Sequence, residues 1–262
     1  MAGESPLRTL VIAAAVALAC SALVSLAVHV LRPVQKAYAQ VDRNRAILAA
    51  ADQLPEDTSE RSITSRYMDL DVRILEVGHD TFTSDAALED PRTYDHWALE
   101  NDSPLLLGPN GQTLPGQPGR LPRFVPVYLL WRGEVLQRII FPVHGPGMWS
   151  TIYAYVALAR DFQTIAALHV YRHGETPGIG DRIEDPKWLM TWTGKQVYGE
   201  DGSVAFDVTR TNRASPYEVN LISGASVTSE NLGDIVRYWM GPGGYGPMLQ
   251  RLRSGALPLS PP

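Results

Sequence analysis

VPVYLLWRGEVLQRIIF, residues 125–141, is the stretch on which the fold turns. Val125 to Trp131 and Val135 to Phe141 are runs rich in Val, Ile, Leu and aromatic residues, with Arg132-Gly133-Glu134 between them. β-Branched and aromatic side chains fill a pleated, half-buried surface, and a short glycine-bearing break between two such runs is a hairpin signal. The pattern continues outward. Thr151–Ala159 (TIYAYVALA) and Gln163–Tyr171 (QTIAALHVY) read as two further strands parted by Arg160-Asp161, and Val204–Val208 as another short one. Then the period changes: Leu232, Ile235, Val236, Trp239 and Met240 recur at helical spacing and stop at Gly241-Pro242-Gly243-Gly244. Strands in hairpin succession followed by an amphipathic helix define an α+β class. The expected domain is an antiparallel sheet with flanking helices, about two hundred residues long.

Upstream, Leu10 to Leu31 carries no formal charge between Arg8 and Arg32. At a rise of about 1.5 Å per residue such a run crosses a hydrocarbon core of about 30 Å. A cleaved signal peptide, with Ala37-Tyr38-Ala39 as the cleavage site, is the competing reading; the single Arg before the run and its length favour an uncleaved anchor. Orientation does not follow from charge: Arg8 precedes the run, whereas Arg32, Lys36, Arg43 and Arg45 follow it. Val34 to Leu54 reads as a helix ended by Pro55, and Met68 to Val77 as a half-exposed strand. Thr81 to Arg123 turns to Pro, Gly, Asp and Asn and reads as a surface excursion with little structure of its own. The expected organisation is residues 1–9, an anchor over 10–31, a membrane-proximal region over 32–123, the domain core over 124–253 and a disordered Pro-rich tail over 254–262.

Composition narrows the chemistry. The chain has 262 residues, 45% of them hydrophobic, and a formal net charge of −5. It has no block of Lys and Arg to grip a phosphate backbone, so nucleic acid is not an expected partner. Cys20, inside the apolar run, is the only cysteine, which permits no internal disulfide and no Cys-rich zinc or iron–sulfur site. His169 and His173 straddle a strand end rather than a helix face, and no Gly-x-Ser-x-Gly elbow occurs, so neither a metal site nor a serine hydrolase is expected.

Three polar, glycine-bearing segments remain. His144–Ser150 holds two glycines that let backbone approach a ligand, and Met148 and Trp149 offer apolar surface to a flat ring; read locally, it is a hairpin connection with a core Trp. Gly174-Glu175-Thr176-Pro177-Gly178-Ile179-Gly180 lacks both the third glycine of a dinucleotide fingerprint and the Lys of a P-loop, and reads locally as a turn. Asn220–Ser229 (NLISGASVTS) leads straight into the amphipathic helix. Its hydroxyls are helix caps by local chemistry, with Thr228 or Ser229 as the cap, while the helix N-terminus beside them favours a phosphate.

Taken together, in this order and behind one N-terminal span, these segments resemble the FMN-binding domain family. Its signature Ser/Thr-Gly-Ala-Ser/Thr-x-Ser/Thr is matched by Ser223-Gly224-Ala225-Ser226-Val227-Thr228. More narrowly, HGPGMWSTIYAYVAL, YRHGETPGIG, WTGKQVY at Trp192–Tyr198 and YWMGPGGYGPML are similar to the C-subunit family of the sodium-translocating NADH:quinone oxidoreductases. The resemblance implies FMN joined by a phosphoester to a hydroxyl of the motif, put there from FAD by a separate flavin transferase outside the cytoplasm. It implies a bacterial inner-membrane protein with its N-terminus inside and its domain in the periplasm. It further implies a carrier of single electrons from an iron–sulfur centre towards the FMN of a neighbouring membrane subunit, inside a complex whose other subunits are its partners. Two positions depart from the pattern. The fourth motif residue, usually Thr and the acceptor, is Ser226, with Thr228 as the alternative acceptor; and Asn220 stands where an Asp is usual. With the family in view, Met148, Trp149 and Ser150 and the run Glu175, Thr176, Pro177, Gly178, Ile179 and Gly180 become the non-covalent walls. Lys195 becomes a candidate for the polar edge of a reduced flavin. The rival readings are the G-type subunit of the related ion-translocating ferredoxin-linked complex and a membrane-tethered binding module without flavin.

Overall fold

A computed structural model describes residues 6–83, 90–99, 103–107, 114–210 and 214–262. The chain divides into residues 1–43 and 44–262. The first unit is helical. The sequence separates a span from a following helix, but α1 runs unbroken over Pro6–Ala51 with Pro33 inside it. A proline inside a helix removes one hydrogen bond, and here good helix formers on both sides carry the helix past it. α1 contains an 18-residue window of mean hydropathy 2.6 and is long and apolar enough to cross a membrane.

The second unit opens on the last turns of α1, which end in a Schellman pair: Asp52 N–H donates to Ala49 O (3.0 Å) and Gln53 N–H to Leu48 O (2.9 Å), with Asp52 left-handed at φ 59°. α2 (Glu60–Met68), which the sequence reading missed, begins at Ser59, whose hydroxyl accepts from Ser62 N–H. It takes Met68 out of the expected strand, so that β1 is Asp71–Glu76. β2 (Thr81–Thr83), β3 (Leu106–Leu107) and β4 (Leu121–Pro122) lie in what reads as an unstructured excursion. That region also holds a 3-10 turn at His96–Ala98; the rest of the excursion falls partly outside the described residues. β5 (Phe124–Arg132), β6 (Val135–Pro146), β7 (Thr151–Ala159) and β8 (Ile165–Arg172) follow the sequence expectation closely.

Among the described residues β3 and β4 pair with each other, and the other strands form one antiparallel sheet in the order β2-β1-β5-β6-β7-β8. Its central strands read as continuous apolar runs because both faces are covered. On one face Val127, Phe141, Val143, Ala154 and Val156 join Ile235, Val236 and Trp239 in a single cluster. On the other, Tyr67 of α2 stands 6.1 Å from Tyr128, which is 6.0 Å from Tyr155. Burying each such large side chain contributes about 1.5–3 kcal/mol, so the sheet is the rigid frame of the domain.

The remaining elements sit on the first face. α3 (Pro186–Met190) precedes β9 (Asp207–Thr209) and β10 (Glu218–Asn220), which pair in parallel. The expected strand over 204–208 is thus displaced; Val204 instead makes an isolated bridge to Tyr198. α4 (Ser226–Met240) crosses β9 so closely that a Cβ on Gly233 would lie 2.7 Å from Val208 Cβ. α5 (Gly246–Arg253) is followed by a docked tail, not a disordered one: Leu257 and Leu259 pack on the core, and Arg73 donates to Ser260 O. Apolar side chains at alternate positions give the tail something to bury, which its prolines concealed.

Candidate functional site

β6 and β7 are joined by Gly147-Met148-Trp149-Ser150, closed by Gly147 N–H to Ser150 O at 2.7 Å. It is a hairpin tip, but its Trp is no core residue: Trp149 is 69% exposed and Met148 51%. β8 leads into the second segment, and β10 into the third, so three loops from separate strands converge at one end of the sheet.

Glu175 ties them together. Its Oε1 accepts from Trp149 N–H (3.0 Å) and Ser150 N–H (3.2 Å), and its Oε2 from Met148 N–H (3.3 Å) and the Thr228 hydroxyl (2.9 Å). Burial raises the affinity of this carboxyl for a proton, but the donors from Trp149, Thr228, Ser150 and Met148 outweigh it and hold the group below the ordinary carboxylate range. The approach leaves no room for side chains around it. A Cβ on Gly147 would lie 2.5 Å from Glu175 Oε1, and one on Gly180 2.8 Å from Glu175 Cβ. His173 supports Glu175 from behind: its Nδ1 accepts from Glu175 N–H (3.1 Å), which leaves Nε2–H to donate to Glu184 (3.0 Å).

A cavity of about 240 Å³ lies above this knot. Met148, Trp149, Thr176, Ile179 and Gly180 line one side, and Gly224, Ala225, Ser226, Val227 and Thr228 the other. α4 starts at Ser226 with no side chain capping it, so the expectation of a Thr228 or Ser229 cap does not hold. Ser229 Oγ donates back to Ala225 O and Ser226 O and accepts from Ile222 N–H, which staples the loop to the first turn. The first N–H groups of an α-helix have no intrahelical partner, and this uncapped helix start lies among the cavity-lining residues, a setting that favours a phosphate. The two candidate acceptor hydroxyls of the motif have opposite surroundings: Ser226 is partly exposed on the cavity wall, whereas Thr228 is 2% exposed and donates to Glu175.

Other expected residues are placed differently. Ser150 Oγ accepts from Gly174 N–H (2.6 Å), and Gly178 N–H donates to Asp181, so both shape the loops behind the wall. Pro177 belongs to the same loop, and Ser223 contributes its carbonyl to Arg182 Nη1 (2.7 Å). Lys195 is not brought to the cavity. Its Nζ donates to Ser215 O at 2.6 Å, in the loop before β10. Sequence reading missed Arg182 and Trp188; Trp188 Nε1–H donates to Asn220 O (2.8 Å) and holds the start of the loop before α4. The Asp185-Pro186 pair, an N-cap followed by an N1 proline, was the signal for the short helix that carries Trp188. Among the described residues no group of His, Cys, Asp or Glu could hold a metal ion.

Over 96% of the chain and 98% of the relative, the sequence is 32% identical to the C subunit of the Na(+)-translocating NADH-quinone reductase from Pseudomonas aeruginosa. The chain belongs to that C-subunit family. The C subunit from Yersinia pestis is 33% identical over 95% of the chain and 94% of its own length. The crystal structure of Shewanella oneidensis NqrC superposes with a TM-score of 0.72 at 27% identity, covering 82% of this chain and 98% of that one. The FMN-binding domain pattern matches residues 147–241. Within a protein of this family that interval has a plain structural meaning, running from the hairpin tip to the end of α4 and enclosing all three loops. The residues present fit FMN: a rim of Met148, Trp149 and Ile179 suits a flat ring, and the uncapped turn of α4 suits its phosphate.

Proposed function

We propose that the chain carries FMN covalently, as a phosphoester on Ser226 Oγ, and relays single electrons within a sodium-translocating NADH:quinone reductase. The observation that carries the reading is the contrast at the first turn of α4, where the Ser226 hydroxyl is open to the cavity and the Thr228 hydroxyl is buried against Glu175. FMN, when bound, supplies the redox chemistry. The chain's own residues hold it. N–H groups at the start of α4 bind the phosphate, and the glycine at 224, left-handed at φ 86°, turns the loop so that Ser226 meets it. Trp149, Met148 and Ile179 flank the ring and keep water from its faces.

The partners are the other subunits of the reductase, with an iron–sulfur centre as donor and the FMN of a neighbouring membrane subunit as acceptor, and a flavin transferase for maturation. Membership in the C-subunit family and the exposed apolar rim of Met148, Trp149, Ile179 and Val227 support this reading. We place α1 across the bacterial inner membrane with the domain in the periplasm, where the transferase works. A span with no carboxylate in its apolar run offers no ion path, so sodium movement is assigned to other subunits.

The test is co-expression of the full chain with a flavin transferase, followed by in-gel flavin fluorescence after denaturation. A fluorescent band at the mass of the chain, lost in Ser226→Ala and kept in Ser226→Thr, is expected. A dark wild-type band beside a fluorescent control substrate contradicts the reading.

A further inference from the structure

Glu175 is not on the cavity wall but bonds to residues that are. Three successive backbone N–H groups, of Met148, Trp149 and Ser150, converge on its carboxylate, an arrangement that elsewhere binds a free anion. Here the anion is built into the chain. The same carboxylate takes the Thr228 hydroxyl at 2.9 Å, so the two strongest alternatives to the intended chemistry, a second anion pocket and a second hydroxyl, are both occupied by one side chain. Ser226, two residues earlier on α4, makes no such bond and keeps its hydroxyl free at the cavity.

We propose that Glu175 is a positioning residue that selects between the two candidate acceptors: by holding Thr228 and the 148–150 backbone, it leaves Ser226 as the one presented to an incoming flavin phosphoryl group. The inference rests on the covalent-flavin reading above. In the step it serves, Ser226 Oγ attacks the FMN phosphorus of a flavin dinucleotide. The new O–P bond forms as the pyrophosphate bond breaks, AMP departs with the bridging oxygen, and the hydroxyl proton passes to a base of the transferase. Glu175 is not that base. Its lone pairs are taken by N–H donors, and its contact hydroxyl is buried at 2% exposure, where no dinucleotide reaches. Gly180 and Gly147 keep the arrangement compact, since a Cβ on either would collide with Glu175.

The experiment compares wild type, Ser226→Ala, Glu175→Gln and Thr228→Val, each as the full chain co-expressed with the transferase, and reads both labelling rate and labelled residue by peptide mass spectrometry. Wild type and Thr228→Val are both expected to carry the label on Ser226, and Ser226→Ala to stay unlabelled although Thr228 lies two positions away. Glu175→Gln weakens charge-assisted hydrogen bonds to the tip and to Thr228; it is expected to label roughly ten-fold more slowly, with a fraction of the flavin moved to Thr228. A purely structural role for Glu175 would lower the yield without moving the label. Label on Thr228 in Ser226→Ala overturns the proposal, as does Glu175→Gln labelled on Ser226 alone at the wild-type rate. Should Glu175→Gln fail to fold, the Ser226→Ala and Thr228→Val arms decide by themselves. An unlabelled wild type is a different result: it removes the covalent-flavin reading itself.

Discussion

At its C-terminal end α4 is closed by contact after contact. Tyr198 donates to Met240 O (2.8 Å), Trp239 Nε1–H to His144 O (2.7 Å), and Tyr245, fully buried and stacked on Trp239 at 4.9 Å, donates to Pro142 O (2.6 Å). At its N-terminal end the same helix has no capping side chain, a half-exposed Val227 and a cavity beside it. One end is finished with aromatic rings and buried hydroxyls, the other with bare backbone donors and small residues. The difference teaches where the two tasks are divided. The C-terminal end anchors the helix to the sheet through β6, and that anchorage lets the N-terminal end remain under-satisfied and available to a phosphate.

Three substitutions sharpen the contrast, taken from the largest expected effect down. At the closed end, a Cβ on Gly244 would stand 2.3 Å from Trp239 O and 2.7 Å from its Cα. Gly244→Ala is expected to cost about 3 kcal/mol, lowering the melting temperature by roughly 6–12 °C, because backbone must move. Its folded fraction should still take flavin. A stable Gly244→Ala protein with no flavin would show that the two ends are not divided in this way.

His144, whose carbonyl holds Trp239, gives the next effect. Burial pushes its imidazole down to about 3 from 6.5, against the help of a hydrogen bond to Arg120 backbone. The unfolded chain therefore binds this proton first, and stability is lost as pH falls from 6.5 towards 3, by up to about 1.4 kcal/mol per pH unit. Glu175, held below its ordinary value, adds to the same acid loss at the lower end of that range. Urea titrations across this window should show a shallower acid limb in His144→Phe than in wild type. Identical limbs would mean that the ring is not buried in the neutral form.

The smallest effect belongs to the open end. Asn220 has an exposed side chain, and its carbonyl is held by Trp188 whatever that side chain is. Asn220→Asp is expected to change stability by less than about 0.5 kcal/mol, a surface-substitution value. It places a carboxylate where the family resemblance implies an Asp, and the rate of flavin attachment is expected to rise. An unchanged rate would count against a part for that position in maturation.

Much of the closed half was legible in the sequence. β7 falls on Thr151–Ala159 as expected, and the stripe Leu232–Met240 lies on the buried side of α4, because strand and helix periods are written directly in apolar spacing. The short elements were not legible: α2 and α5 are eight or nine residues long and owe their place to packing rather than propensity. At the site, the three segments could be named from glycines and hydroxyls, but not their mutual roles. That Thr228 is buried on Glu175, that Trp149 faces out and that Lys195 is spent on Ser215 are long-range facts. Sequence spacing carries no trace of a bond across 53 positions.

The central claim is that the open hydroxyl at the start of α4 bears the flavin. Trypsin releases that region as the single peptide Ala214–Arg237, which contains Ser223, Ser226, Thr228 and Ser229. Fragmentation of this peptide from wild-type protein matured with the transferase should place one FMN phosphoester on Ser226 and none on the other three. Flavin on Thr228, or a peptide that is wholly unmodified while a control substrate is labelled, would contradict the account.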